Sequence, residues 1–304
     1  MIYAHKVSQP VEESLEIEQR SAPAARVLRA DDRREILIAP RSGWAPLELR
    51  ELWSYRDLLY FLIWRILKVR YKQTVLGIAW AVIPAVATMV IFTLIFGRLV
   101  GVTSNGSPYA LFSFAALVPW TYFANAVTQS TNSLVENERL LTKVYFPRLL
   151  LPLATTIASL LDFLVGFVVL VVLMFSFGVV PTAVFLTLPA FAALMVAAAF
   201  GVGLCLSALN VYYRDVRYAT AFLIQFWLFA TPVAYATSII PTAWRPLFAV
   251  NPMVGVIDGF RWAVLENAPA PRVDLLISVF SVVVTLCVGL FYFRRVEDSF
   301  ADVV

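Results

Sequence analysis

A single histidine, His5, and two cysteines, Cys205 and Cys287, are all that the 304 residues offer to imidazole or thiol chemistry. No zinc-type ligand set and no Ser/His or Cys/His nucleophile pair can be assembled from so few. Both cysteines fall within long apolar runs, where a thiol packs as a small apolar group. The GxxxxGK[ST] signature is missing too, so the chain has no loop of its own to cradle the phosphates of ATP. Charge is also scarce. Charged residues make up 14% of the chain and hydrophobic residues 61%, whereas soluble domains are about a quarter charged. With a mean hydropathy of +0.79, folding in water would expose apolar surface that nothing in the sequence could cover. This excludes an ordinary soluble enzyme, leaves no metal site or nucleic-acid partner to expect, and points to a lipid bilayer as solvent.

The runs without charge then divide the chain. Charged side chains are absent from Gln73 to Gly97, Leu99 to Val135, Phe163 to Tyr213, Tyr218 to Trp244 and Leu275 to Phe293. A helical crossing needs roughly 20 apolar residues for about 30 Å of hydrocarbon. The second run therefore holds one crossing after the polar turn GVTSNGSPY, and residues 149–213 hold two, parted near Gly178 and Pro181. The expectation is an all-α integral membrane protein with six spans, at about 75–100, 108–131, 149–177, 183–208, 218–240 and 273–293. Pro84, Pro119, Pro189 and Pro232 fall inside these spans and read as kinks.

Orientation follows from where Lys and Arg collect, because cytosolic loops retain them during insertion. Thirteen of the 24 precede the first span. Later connections alternate: Arg98 alone, then Arg139, Lys143 and Arg148, then none, then Arg214 and Arg217, with Arg294 and Arg295 after the last span. Both termini are thus expected in the cytosol. The loop at about 241–272, with Arg245, Arg261 and Arg272, is the one misfit. Residues 1–45 are too polar for a signal peptide and read as a cytosolic tail. Residues 46–72 repeat Leu52, Leu58, Leu59, Leu62, Ile63 and Ile66 at helical spacing, with Arg56, Arg65, Lys68, Arg70 and Lys72 between them. Each of those cations would cost about 2.5–3.5 kcal/mol at mid-membrane. The segment therefore reads as an amphipathic helix lying in the headgroup plane against membrane lipids. Residues 73–304 are expected to form the transmembrane domain.

Two polar features interrupt the apolar runs. Asp162 lies midway along the third predicted span, and Asn125, Thr128 or Gln225 are its expected partners. A lone carboxylate favours a structural or gating role over proton coupling, so Asn in its place is expected to leave most transport intact. The second feature, NSLVENERLLTKVYFP, reads as a short helix over about 133–147. Ser133 and Glu136 fit a capping box, and the charge order suits the helix dipole. Leu140, Leu141, Val144 and Tyr145 would make one apolar face, and the Tyr145–Phe146 pair would be offered to a partner. A surface helix resting at the membrane interface is the plainer alternative.

The stretches ELWSYRDLLYFLIWRILKVRYKQTVLGIAWAVIPAV, LLTKVYFPRLLLPLA, ALNVYYRDVRYA, FWLFATPVAYA and NPMVGVIDGFRWA occur in this order between Glu51 and Ala263, within a resemblance that covers roughly residues 37–293. Together they resemble the membrane subunit of bacterial polysaccharide ABC exporters, the ABC-2 type permeases that move O-antigen and related lipid-linked glycans across the inner membrane. Ile66 departs from that pattern, which carries a polar residue there. The resemblance implies that 133–147 is a coupling helix docked in a cleft of an ATP-hydrolysing partner. Glu138, Arg139, Lys143, Tyr145, Phe146 and Arg148 would be the contact set, with Arg214, Asp215 and Arg217 as a second one. It also implies that two copies flank the channel, that ATP and Mg sit on the partner, and that short helices in the outer loop dip back into the membrane. Asn251-Pro252 is a good start for one of them.

A glycan has apolar ring faces that aromatic side chains can hold loosely. Trp80, Tyr109, Phe112, Trp120, Tyr122, Phe123 and Phe226 are therefore candidates for the path, with Trp120, Tyr122 and Phe123 favoured beside Pro119 and Asn125. A teichoic acid, capsule or lipid exporter is the nearest alternative. A membrane-embedded enzyme of lipid-linked sugars would need clustered acids or histidines. A secondary transporter would need paired intramembrane charges or inverted repeats. The sequence carries neither pattern.

Overall fold

The structure, a computed structural model, describes residues 49–72, 77–104, 106–265, 268–271, 273–297 and 300. The predicted tail 1–45 and Arg272 lie outside them. Among the described residues every regular element is helical. Helices α1 (Leu49–Ser54) and α2 (Arg56–Tyr71) come first. The next apolar segment is composite, with a 3-10 turn at Gly77–Ala81, α3 (Ile83–Phe92) and a π-helical stretch at Thr93–Leu99. Then follow α4 (Tyr109–Glu136), the six-residue α5 (Glu138–Lys143), α6 (Leu150–Ala158), α7 (Leu160–Ser176) and α8 (Leu188–Tyr212). The chain continues with α9 (Val216–Ala230), α10 (Arg245–Ala249), α11 (Pro252–Val264) and α12 (Val273–Val296).

Among the described residues five segments are long and apolar enough to cross a membrane: Ala79–Leu99, Tyr109–Glu136, Leu150–Ser176, Ala183–Tyr212 and Val273–Val296. The expected crossing at 218–240 is realised only as α9, 15 residues or about 22 Å at 1.5 Å per residue. Pro232 is the cause, since the residue before a proline is driven out of the helical region. Thr231 indeed adopts φ −104°, ψ 138° and ends the helix. The other prolines also differ from the expected set of four kinks. Pro84 and Pro189 sit in the first turns of α3 and α8, where a missing N–H costs nothing, and of the four Pro119 alone lies in a helix interior.

Helix α4 is the centre of the bundle, and its buried side chains anchor a core shared with α7, α8 and α11. Close approach replaces bulk where α8 meets α12. A Cβ on Gly201 would stand 2.8 Å from the Leu286 backbone, and one on Gly289 would press on the Gly201 carbonyl. Small residues let helix backbones touch where apolar lipid offers no driving force for association.

The misfit in the charge map has a structural answer. Arg261, on α11, is buried, and its guanidinium lies 3.6 Å from the centre of the Phe112 ring. It donates to the carbonyls of Pro232 (2.6 Å), Tyr235 (3.1 Å) and Val233 (2.7 Å). Breaking α9 at Pro232 leaves backbone oxygens without helical donors, and buried carbonyls need partners. Arg261 supplies them, so it serves packing and carries no information on topology. Asn251 caps α11 as expected, accepting from the Met253 N–H at 3.1 Å.

Candidate functional site

A second apolar cluster gathers at the end of the bundle that holds residues 137–148 and 212–217, here the proximal end. It joins Leu62 of α2, Leu134 of α4, Leu141 of α5, Phe146, Leu149 and Leu150, Leu204 and Ala208 of α8, Phe293 of α12 and Phe300. Leu58, Leu59, Ile63 and Ile66 pack against it. The apolar positions of α2 therefore face the protein, which explains an isoleucine at 66. Tyr60, Phe61 and Trp64 of α2, and Trp53 of α1, are exposed.

The segment expected as one capped helix over 133–147 is built differently. Helix α4 continues to Glu136, and Ser133 is buried inside it, donating to the Ser130 carbonyl at 2.7 Å. No capping box forms there, because Ser133 and Leu134 belong to the core of the bundle. The break falls at Asn137, whose Oδ1 accepts from Arg65 of α2 at 3.3 Å. At Lys143 the helix ends, and Val144 is extended (φ −131°, ψ 131°). The irregular backbone between Lys143 and Pro147 separates the expected aromatic pair. Tyr145 is 71% exposed, whereas Phe146 is 5% exposed and belongs to the cluster. Val144 also faces out, while Leu141 faces in.

The open ridge thus comprises Glu138, Arg139, Thr142, Lys143, Val144 and Tyr145. Arg214, Asp215 and Arg217 are exposed as well, with the Arg217 guanidinium 4.8 Å from the centre of the Tyr218 ring. Arg148 is held inward instead. Its backbone N–H donates to Glu297 Oε1 at 3.1 Å, its guanidinium to the Glu297 carbonyl, and it lies 5.9 Å from the Phe300 ring. Arg294 closes the group, donating to Glu297 Oε2 at 3.0 Å. Burial pushes the Glu297 carboxyl above its usual range, while Arg294 and Arg148 pull it back. Phe300 also meets Phe293 (5.4 Å) and Tyr212 (6.3 Å) edge-on, so one segment touches both proximal loops. Sequence reasoning missed Glu297, although its spacing of three from Arg294 was a visible helical pair.

Asp162 meets partners other than those expected. Arg70 donates to its Oδ2 at 2.5 Å, Tyr71 to its Oδ1, and Arg70 also to Gln129 Oε1. Burial, with the carboxylate beside it, pushes the Tyr71 phenol up to about 12, so it remains a donor at neutral pH. Asn125, Thr128 and Gln225 do not bond Asp162, because the last turn of α2 reaches it first. Lys68 of the same helix and Lys72 just after it stay exposed.

The aromatic candidates separate by burial. Phe112, Trp120, Tyr122 and Phe123 are enclosed by the chain itself. Tyr122 donates to the Thr156 carbonyl at 3.1 Å, and Phe123 meets Trp227 edge-on at 5.2 Å. Tyr109 donates to the Ala234 carbonyl at 2.6 Å. Trp80 is 55% exposed, and Phe226 is exposed beside Phe222 at 4.5 Å.

An apolar bundle with a firm proximal cluster and an exposed charged ridge, but no nucleotide-binding loop, has counterparts. Residues 57–265 match the family described as ABC-2 type transporter. The chain belongs to that family. It is similar to the O-antigen export system permease protein RfbA of Myxococcus xanthus, 30% identical over 84% of this chain and 98% of the relative. A Klebsiella pneumoniae protein of the same name is 30% identical over 82% of this chain and 95% of its own length. The polysialic acid transport protein KpsM of Escherichia coli is 24% identical over 77% and 92%. As a member of the ABC-2 type transporter family, the chain is a multi-pass membrane transport subunit.

Proposed function

We propose that the chain is the transmembrane subunit of an ATP-driven exporter that moves a lipid-linked polysaccharide, O-antigen or a related glycan, across the bacterial inner membrane. One observation carries this reading. A chain without a phosphate-binding loop presents Glu138 to Tyr145 as an exposed ridge whose inward residues, Leu141 and Phe146, are locked into a buried cluster. Such a ridge can receive force without deforming, as a contact to an external motor must. The ridge and the exposed Arg214, Asp215 and Arg217 dock on a nucleotide-binding ATPase subunit, which holds ATP and Mg. The proximal end, with both termini, is then cytosolic.

Six crossings complete this arrangement, α9 and the residues after Pro232 supplying the fifth. Helices α1 and α2 lie along the inner headgroups with Trp53 of α1 and Tyr60, Phe61 and Trp64 of α2 toward lipid, the preferred level for aromatic belts. Helices α10 and α11 dip back at the outer end. A second copy of the chain completes the channel about a two-fold axis.

A benzophenone photocrosslinker at position 145 tests the assignment in cells. It should capture a protein carrying a P-loop. Capture of no ATPase in exporting cells, or modification of position 145 by a reagent added outside the cell, would overturn it.

A further inference from the structure

The three polar positions Thr121, Asn125 and Gln129 recur every fourth residue along α4, about 6 Å apart along the helix axis. All three line a cavity of about 350 Å³ between α4 and the start of the first apolar segment. Trp80 and Pro84 form the facing wall, and the Arg70–Asp162 pair with Tyr71 closes one end. Thr121 is satisfied within the helix by the Leu117 carbonyl at 2.8 Å, and the Gln129 carbonyl oxygen accepts from Arg70. Asn125 is exposed and has no hydrogen-bond partner among the described residues. It stands 11 residues from the proximal end of α4, about 16 Å, well inside the depth of the hydrocarbon. An unpartnered amide turned toward lipid tails would be strongly disfavoured. This face therefore looks onto water or onto a polar molecule.

We infer that this groove holds a sugar residue of the passing glycan, with the Asn125 and Gln129 amides meeting its hydroxyls and Trp80 lying along its C–H face. The inference rests on the export reading above and adds which residues touch the cargo and what charge that cargo carries. An amide both donates and accepts, as a hydroxyl does, so it can exchange partners as the chain advances. A large exposed indole offers apolar area to a pyranose face without fixing its register. Among the described residues the charges lining the groove are Arg70 and Asp162, which neutralise each other at 2.5 Å. The site thus suits an uncharged, hydroxyl-rich chain and offers nothing to a polyanion. Its size lies at the small end of ligand sites, fitting one or two rings at a time. The sugar candidates Phe112, Trp120, Tyr122 and Phe123 are enclosed elsewhere and leave this face to the amides.

The test places a benzophenone at position 125 of the full-length chain, in cells with the partner ATPase, and analyses the photoproduct. The expected adduct is a carbohydrate ladder that stains for neutral sugar. Asn125→Leu should also slow export about tenfold at unchanged membrane abundance, as loss of hydrogen bonds made in transit predicts. An adduct containing only phospholipid, a cross-linked second copy of this chain, or a ladder that takes cationic dye would overturn the inference. If the position-125 variant does not accumulate, the same reading at Thr121, one turn along, decides with the same outcomes. Failure of the export reading itself is separately visible, because deletion of the chain would then leave surface glycan unchanged whatever position 125 captures.

Discussion

Replacing Tyr145 and Phe146 one at a time by alanine should produce two unrelated defects, although the residues are neighbours. Phe146 is 5% exposed among Leu62, Leu141, Leu149 and Phe300. Truncating a buried phenylalanine costs about 3–5 kcal/mol. The low end applies to a cluster at the edge of the bundle, where the loop can partly collapse. At about 2–4 °C per kcal/mol, Phe146→Ala should lower the melting temperature of the isolated permease by about 6–12 °C. Tyr145 is 71% exposed and touches little. Its removal should change stability by at most about 0.5 kcal/mol. As the exposed aromatic of the proposed docking ridge, however, it should cost about 2 kcal/mol of ATPase binding, or about 30-fold in Kd. The assay is a matched pair of measurements on permease in lipid nanodiscs: thermal unfolding at a fixed scan rate, and titration with the purified ATPase. Equal melting losses for both variants would refute the inward–outward division. Normal ATPase affinity for Tyr145→Ala would refute the docking ridge.

Asp162→Asn keeps an acceptor for Tyr71 but strips the charge facing Arg70, whose side chain is about three-quarters buried. A loss of about 2 kcal/mol with transport largely retained is expected, whereas Asp162→Leu should abolish detergent-stable protein; equal yields of both variants would argue against the network. Arg261→Met leaves the carbonyls of Pro232, Val233 and Tyr235 without that donor, at about 3 kcal/mol in total, and Arg261→Lys should recover only part of the folded yield because an ammonium lacks the planar fork. Gly289→Ala should cost about 1–3 kcal/mol by forcing a methyl against the Gly201 carbonyl. Gly166→Ala, whose Cβ would meet the Val118 methyls at 3.7 Å, should be neutral in the same thermal assay.

The solvent, the helical class and most crossings were legible in the sequence, because transfer of apolar residues into lipid is a local property that sums along the chain. The charge-free runs bounded five long segments to within a few residues, as Tyr109–Glu136 and Val273–Val296 show. The missing phosphate-binding loop was equally local. It required no fold to interpret. The coupling segment was legible as an interruption but not as a shape. Its start moved to Asn137 because Ser133, a good cap by pattern, is claimed by the core of the bundle.

Only the tertiary structure decided which way neighbouring side chains face and which distant groups meet. It turned Phe146 inward and Tyr145 outward, paired Asp162 with Arg70 across 92 positions, and gave Arg261 the carbonyls freed at Pro232. It also enclosed Trp120, Tyr122 and Phe123 while leaving Asn125 open to the groove. These outcomes depend on contacts between segments far apart in the chain, where geometry selects one partner from several of equal chemistry. Composition fixes what each residue can do in lipid or water. Packing alone chooses the neighbour on which it acts.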